Sequence, residues 1–343
     1  MSVPLASTPK VLQAAFNYYS DPSPPEPNEI ALVVGGSSKT TSSIQPVTDL
    51  RNLPFPLASY NHATHGFQIL TQDLPIDPSY SSIHDEKAIT EIYYPAMSSL
   101  LKEQLGVRAT AIVNHTLRDI SAENLAEGGV KGTQPFFSAH SDYTPGGSRS
   151  QLRAMTEEWS CPSQTGPERK LFFRLRDEII AAEDKAMTFA GLEPGNGDLL
   201  AGKGGQWDWD GKNYSGPRYG IFSIWRPWEV VKRDPLALLV APEDELRWEA
   251  LPRSYKKRFG YLEEYYSENV LVRPPDEGRS HEWCYLSEQA PEEVLAIKFY
   301  DSEALRRGDG SVRLMCPHSA FRIEGTEDEM PRRSSELRVW CIW

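Results

Sequence analysis

Tyr219-Gly-Ile-Phe-Ser-Ile-Trp225, Leu236-Ala-Leu-Leu-Val240, Trp283-Cys-Tyr-Leu286, Val294-Leu-Ala-Ile-Lys-Phe-Tyr300, Val312-Arg-Leu-Met-Cys316 and Glu336-Leu-Arg-Val-Trp-Cys-Ile-Trp343 follow one another through the C-terminal half of the chain. Each is short and rich in β-branched, aliphatic or aromatic residues, with turn residues in the stretches between them. Several short strands in succession predict a sandwich or a barrel-like jelly roll. Upstream, Ala109-Thr-Ala-Ile-Val113 reads as a further strand. A helix is expected from about Asp85 to Leu105, because Ile89, Ile92, Tyr93, Met97, Leu100 and Leu101 recur at three- and four-residue steps. Ser82 is its expected N-cap, and Gly106 closes it. From Ser148 to Ala190 the pattern is helical again, best over Lys170 to Phe189. The fold class expected is therefore mainly β with flanking α, a jelly-roll core carrying a helical and loop insertion at about 148–215. Residues 1–55, rich in Pro and Ser, are expected to be extended and partly mobile with one strand at Ile30–Val34, and residues 56–343 to form a single domain.

The 343 residues carry 36 Lys and Arg against 48 Asp and Glu, a net charge of −12. A field of that sign repels a phosphate backbone, so no nucleic-acid partner is expected. No apolar run approaches the roughly 20 residues that cross a bilayer, and the first ten residues lack the basic and apolar regions of a secretory signal, so no membrane partner is expected. The four cysteines (Cys161, Cys284, Cys316 and Cys341) form no C-x-x-C pair. They read as reduced thiols of a cytoplasmic protein. Sequence leaves a monomer or a homodimer open.

Seven histidines are present, and two of them begin an H-x-[D/E] tripeptide. His84-Asp-Glu86 lies at the start of the expected helix, where i and i+2 diverge and the acids suit the helix dipole. His140-Ser-Asp142 sits after Pro135-Phe-Phe-Ser-Ala and before Tyr143-Thr-Pro-Gly-Gly, at the expected end of a strand, where a period of two puts His140 and Asp142 on one side. A mononuclear non-haem iron site needs two imidazoles and one carboxylate on one face with the opposite positions open. His318, in Met315-Cys-Pro-His-Ser-Ala-Phe321, is the candidate distal imidazole. Beyond it, Arg332 and Ser334 form Arg-x-Ser, and Arg338 lies on the same face of the last strand. A guanidinium there suits the far carboxylate of a dicarboxylate cosubstrate. Val33-Val-Gly-Gly-Ser-Ser-Lys-Thr40 lacks the helix that a phosphate loop requires. His281 reads as structural.

Taken together, Thr64-His-Gly-Phe-Gln-Ile-Leu, Ile92-Tyr-Tyr-Pro, His140-Ser-Asp-Tyr-Thr, Trp225-Arg-Pro-Trp, Asp234-Pro-Leu-Ala-Leu, His281-Glu-Trp-Cys-Tyr-Leu, Lys298-Phe-Tyr-Asp-Ser, Pro317-His-Ser-Ala-Phe and Arg332-Arg-Ser-Ser-Glu-Leu-Arg span roughly residues 60–343. In that order they resemble a family of fungal and bacterial non-haem iron, 2-oxoglutarate-type oxygenases, which includes the hydroxylase component of cephamycin methoxylation and gibberellin-desaturase-like enzymes. The resemblance implies a double-stranded β-helix (cupin-like jelly roll) with His140, Asp142 and His318 as iron ligands. It implies that Arg332 and Ser334, or Arg338, hold the cosubstrate carboxylate. Fe(II) is the implied metal, with 2-oxoglutarate and O2 as cosubstrates. The implied reaction is oxidation of a C–H bond of a small-molecule secondary-metabolite intermediate, by hydroxylation, desaturation, cyclisation or endoperoxide formation. Arg322-Ile-Glu replaces the family's usual turn after the distal histidine motif, and Arg333 doubles its usual single arginine. Tyr143, Trp225, Arg226, Trp207 and Trp209 are candidates for substrate contact. The alternatives are an iron oxygenase that does not use 2-oxoglutarate and a metal-free jelly roll that binds a small molecule.

Overall fold

The computed structural model describes residues 11–21, 40–120, 134–157, 166–195, 197, 204–240, 245–256 and 264–343. Among the described residues thirteen strands form two sheets. The larger has eight, in the order β1 (Val11–Tyr19), β2 (Thr40–Asp49), β10 (Trp283–Tyr285), β7 (Leu236–Leu239), β12 (His318–Ala320), β5 (His140–Ser141), β9 (Glu264–Val272) and β8 (Trp248–Lys256). The smaller has five, in the order β3 (Phe67–Thr71), β11 (Glu293–Asp301), β6 (Tyr219–Pro227), β13 (Ser334–Ile342) and β4 (Ala109–Arg118). All pairings are antiparallel except β2 with β10 and an isolated bridge between Asn17 and Ser138. The helices are α1 (Tyr80–Ile83), α2 (Tyr94–Leu105), α3 (Pro145–Ala154), α4 (Pro167–Phe189) and α5 (Ser302–Arg307).

Alternation along the strands of the smaller sheet separates two cores. On β6, Tyr219, Ile221 and Trp225 face the interior between the sheets, while Phe222 and Ile224 pack outward. On β13, Trp340 and Ile342 face inward, while Leu337, Val339 and Cys341 meet the outer layer, where α2 contributes Met97, Leu100 and Leu101. The larger sheet repeats the division on β7: Leu236 and Leu238 face the interior, and Ala237 and Leu239 the far side. There Phe16 stacks on Trp283 at a centroid distance of 4.2 Å. Helices α3 and α4 are joined by a buried pair, with Arg153 Nε and Nη2 donating to Glu183 Oε2 at 3.0 and 2.7 Å.

Four features differ from the expectation. The stretch expected as one helix from Asp85 to Leu105 is a π-helical turn (Ala88–Tyr93) that runs into α2, and Ser82, its expected cap, lies instead inside the separate α1, which ends at His84. Val312–Cys316 is not a strand: the ladder begins three residues after Met315, at His318. Part of the N-terminal segment is built into the larger sheet rather than left extended. Phe16 and Tyr18 of β1 and Val47 of β2 supply one buried face, which offsets the cost of ordering these polar strands. The β8–β9 pair had no expectation at all. Ile30–Val34 and Cys161 lie outside the described residues. Among the described residues no helix is long and apolar enough to cross a membrane.

Candidate metal centre

The smallest strands of the larger sheet position the imidazoles. β5 is two residues long and wedged between β12 and β9, with His140 directly opposite His318 on one side and Leu271 on the other. That register brings the two rings to 4.4 Å between centroids. In each ring Nδ1 faces the carbonyl two residues upstream, His140 to Ser138 at 2.8 Å and His318 to Cys316 at 3.4 Å. Donation to those carbonyls puts the proton on Nδ1 and leaves Nε2 as a bare acceptor, the arrangement a ligating imidazole needs. Burial first, and His140 beside it second, push the His318 pKa down to about 4, so this ring is neutral at physiological pH.

Asp142 follows β5 directly. Its backbone carbonyl accepts from Asn269 Nδ2 at 2.8 Å, and its Oδ1 lies 3.5 Å from His140 Nε2. Thr144 then caps α3 by accepting from Gly147 N–H at 3.0 Å, so the chain turns into a helix two residues after the carboxylate. Gly147 is required there: a Cβ would come within 2.5 Å of the Glu268 backbone nitrogen. Burial alone would raise the Asp142 pKa, but Arg338 and the two imidazoles outweigh it and hold the carboxyl well below the usual range. His140, Asp142 and His318 each offer one ligand atom, and these atoms lie within 4.8 Å of one another. Two imidazoles and one ionised carboxylate in that span fit a divalent non-haem iron and leave its far side open.

Beside them is a narrow cleft lined by the two histidines, Phe136, Leu236, Trp225, Arg332 and Glu336, with Arg118, Ser223 and Ile297 completing its wall. Arg332 is 4 % exposed, donates from Nη1 to the Asp234 carbonyl at 2.6 Å, and lies 5.2 Å over the Trp225 ring. Burial lowers its pKa to about 10, which keeps it charged. Two groups of this lining, Arg332 Nε and Trp225 Nε1, are buried without a hydrogen-bond partner among the described residues, as is Ser334 Oγ, two residues before Glu336 on β13. Each is a donor, so what they lack is an acceptor, and a carboxylate offers only acceptors. The donor set fits the distal carboxylate of a 2-oxo diacid.

The remaining expected site residues are placed as follows. Arg333 turns away and pairs with Glu229, Nε to Oε1 at 3.1 Å, so the doubled arginine does not compete for the cleft. Arg338 faces the interior but reaches Asp142, with Nη2 2.6 Å from Oδ2. Tyr143 lies one layer behind the cleft; its hydroxyl accepts from Gln151 at 2.8 Å and its ring abuts Phe299, which stacks on His318. Arg226 occupies the opposite face of β6 from Trp225 and donates to Gln72 Oε1 at 2.8 Å, which removes it from the cleft. Trp207 and Trp209 pack on α3: Gly146 lies against the Trp207 ring, and Arg149 lies 5.1 Å over Trp209. His281 is buried beside Tyr18. Sequence reading missed Arg118 and Glu336, which pair in the cleft wall at 2.6 Å. Glu336 carried a signal, since it falls between Ser334 and Arg338 at steps of two. Arg118 carried none, because β4 runs five residues past the apolar stretch that announced it.

The chain matches the family described as Oxidoreductase/YMDC permease-like domain over residues 16–167 and 208–342. It is 26 % identical to the gibberellin cluster GA4 desaturase of Gibberella fujikuroi, over 97 % of this chain and 96 % of the other. It is 23 % identical to the alpha-ketoglutarate-dependent dioxygenase phiK of a fungal species, with the same coverage of each chain. Among solved structures it resembles the iron and alpha-ketoglutarate-dependent endoperoxidase NvfI, with a TM-score of 0.61, 19 % identity and 99 % of each chain covered. The fold is the double-stranded β-helix of that class.

Proposed function

This chain belongs to the oxidoreductase family described as Oxidoreductase/YMDC permease-like domain, and on that premise we propose that it is an Fe(II)- and 2-oxoglutarate-dependent oxygenase that oxidises a C–H bond of a small-molecule secondary-metabolite intermediate. The observation that carries the reading is the pairing of two features in one cleft: the His140, Asp142 and His318 ligand atoms within 4.8 Å, and the partnerless donors around Arg332. The relatives named as a desaturase and as an alpha-ketoglutarate-dependent dioxygenase support it.

When bound, the metal with 2-oxoglutarate and O2 supplies the oxidising power that removes hydrogen from carbon. The chain holds the metal through His140 Nε2, His318 Nε2 and Asp142 Oδ1. Arg332 and Ser334 hold the distal carboxylate of the cosubstrate, with the Trp225 ring as a wall beneath the guanidinium. Phe136, Leu236 and Ile297 keep water from the same chamber, where a charge-assisted hydrogen bond is stronger than in solvent. Whether the outcome is hydroxylation, desaturation, cyclisation or endoperoxide formation is set by which carbon the chamber holds near the metal. We place the enzyme in the cytoplasm, a reading supported by the free thiols of Cys284, Cys316 and Cys341.

The test is stoichiometry. With Fe(II) supplied, each oxidised substrate molecule is expected to be matched by one succinate and one CO2. Substrate oxidation that proceeds without 2-oxoglutarate would assign the chain to the iron oxygenases that draw all electrons from substrate.

A further inference from the structure

Asp142 is gripped from across the interior. Arg338 on β13 places Nε 2.8 Å and Nη2 2.6 Å from the same carboxylate oxygen, Oδ2. Its Nη1 lies 3.3 Å from Asn114 Oδ1, and Asn114 is the residue opposite Arg338 in the β4–β13 register. The bulge in β4, where the register skips Val113, turns Asn114 to this face. The Arg338 and Asp142 side chains are 18 % and 10 % exposed, so solvent screens the pair little. The other oxygen, Oδ1, points toward His140 Nε2 at 3.5 Å. One carboxylate oxygen is thus committed to a guanidinium and the other to the metal position.

Resting on the reading of this cleft as an iron and 2-oxo acid centre, we infer that Arg338 is a positioning residue that keeps Asp142 a one-oxygen ligand and so holds open a coordination position for the chelating end of the cosubstrate. A carboxylate free to rotate binds metals through one oxygen or two. The second oxygen would take a place the 2-oxo acid needs, since three protein ligands leave only the opposite face for keto oxygen, near carboxylate and O2. Sequence had offered Arg338 as an alternative clamp for the distal carboxylate. Its donors are instead directed at Asp142 and Asn114, while Arg332 carries the partnerless Nε.

Binding experiments on the full chain separate these roles without turnover. Metal-free protein is titrated with Co(II) by calorimetry. The Co(II)-loaded protein is then titrated with 2-oxoglutarate and with oxalate, which has a chelating pair but no distal arm, and the visible absorption of cobalt is followed. Arg338→Met is expected to keep Co(II) affinity within about threefold, because loss of a repelling charge offsets loss of orientation. It is expected to lose about tenfold or more in affinity for both acids, because the position they need is no longer kept open. Arg338→Lys restores part of that loss. Asn114→Ala, which removes the guanidinium's second tether and leaves the ion pair, is expected to shift both acids in the same direction by a few-fold, and it serves if Arg338→Met does not fold. Loss confined to 2-oxoglutarate would make Arg338 the distal clamp and overturn the inference, as would unchanged affinity for both acids. A Co(II) affinity more than tenfold weaker would make Arg338 part of the metal site itself and overturn it too. Wild-type protein that binds no Co(II) would remove the metal-centre reading and this inference with it.

Discussion

The larger sheet brings His140 and His318 to the cleft, whereas the smaller sheet opposite brings Trp225, Glu336, Arg118 and Arg338. The two do so by different devices. In the larger sheet the two histidines sit on strands of two and three residues, and their spacing is fixed by one direct cross-strand pair. In the smaller sheet the strands run nine or ten residues at β4, β6, β11 and β13, and alternation, shifted by bulges in the β4 and β11 pairings, brings Trp225, Glu336 and Arg338 to the inner face and Ile224, Leu337 and Val339 to the outer one. Asp142 belongs to neither sheet; it is held between them by Asn269 from β9 and Arg338 from β13. The difference teaches that metal affinity and cosubstrate affinity should respond to separate sets of substitutions.

The largest effect expected belongs to the larger sheet. His318→Ala or His140→Ala removes a proposed ligand outright, and metal affinity should fall by more than about 100-fold, far beyond the change expected of Arg338→Met. Calorimetric titration with Co(II) checks this, and succinate release should vanish with it. A His318→Ala protein that binds metal as tightly as the parent would break the division of roles.

On the other side of the cleft Arg332→Ala should leave metal affinity within a few-fold and weaken 2-oxoglutarate. Truncating one member of a buried charged contact costs about 2–5 kcal/mol, or 30-fold and more in half-saturation. Oxalate, with no distal carboxylate, should bind parent and variant alike, the opposite of what Arg338→Met is expected to show. Arg332→Lys should recover part of the loss but not all, since an ammonium cannot match the guanidinium fork.

How far these roles were legible in the chain follows from the same contrast. The strands at 219–225, 236–240, 283–286, 294–300 and 336–343 announce themselves because buried sheet leaves dense apolar runs. β12 does not, since His318-Ser-Ala320 is three residues of strand, two of them polar, with no room for a pattern. His140 and His318 were found through motif order rather than strand signal. The arginines were found as candidates but not told apart: Arg332, Arg333 and Arg338 are equivalent in composition. Only the packing of Trp228 and Glu229 after β6, which takes Arg333 outward, separates them. β1 and β2 were invisible for a related reason. Thr40-Thr-Ser-Ser-Ile-Gln-Pro-Val-Thr-Asp49 has the composition of a loop, and becomes a strand only because β1 and β10 lie beside it.

A smaller effect tests the two faces of one strand. Ile112 on β4 is fully buried in the outer core, beside the strand segment that delivers Asn114 and Arg118 to the cleft. Ile112→Val should cost about 0.5–1.5 kcal/mol of stability. Chemical denaturation would show it, while the affinities for Co(II) and 2-oxoglutarate stay at parental values. A change in either affinity would mean that the outer core and the cleft are mechanically coupled through the β4 bulge.

The smallest effect concerns pH and returns to the larger sheet, at the end away from the metal. The Tyr18 hydroxyl accepts from Trp283 Nε1 at 2.9 Å and lies 3.1 Å from His281 Nδ1. In the neutral ring with Nδ1 unprotonated, the hydroxyl proton is accepted there. Burial, and then nearby Arg247, push the His281 pKa down to about 4. In the unfolded chain the ring titrates near 6.5. As pH falls from about 6.5 toward 4 the unfolded state takes up a proton that the folded state refuses, so stability declines across that window and is fully present above it. His62, in the smaller sheet's outer core, is pushed down to about 4 by burial and by Lys298 and Arg218, and contributes in the same direction. Urea midpoints taken between pH 7.5 and 5 should therefore fall for the parent and fall less steeply for His281→Gln, whose side-chain oxygen accepts the same hydrogen bond without titrating. Equal slopes in the two proteins would show that the loss arises at the other buried histidines, His62, His115 and His318, and not at Tyr18.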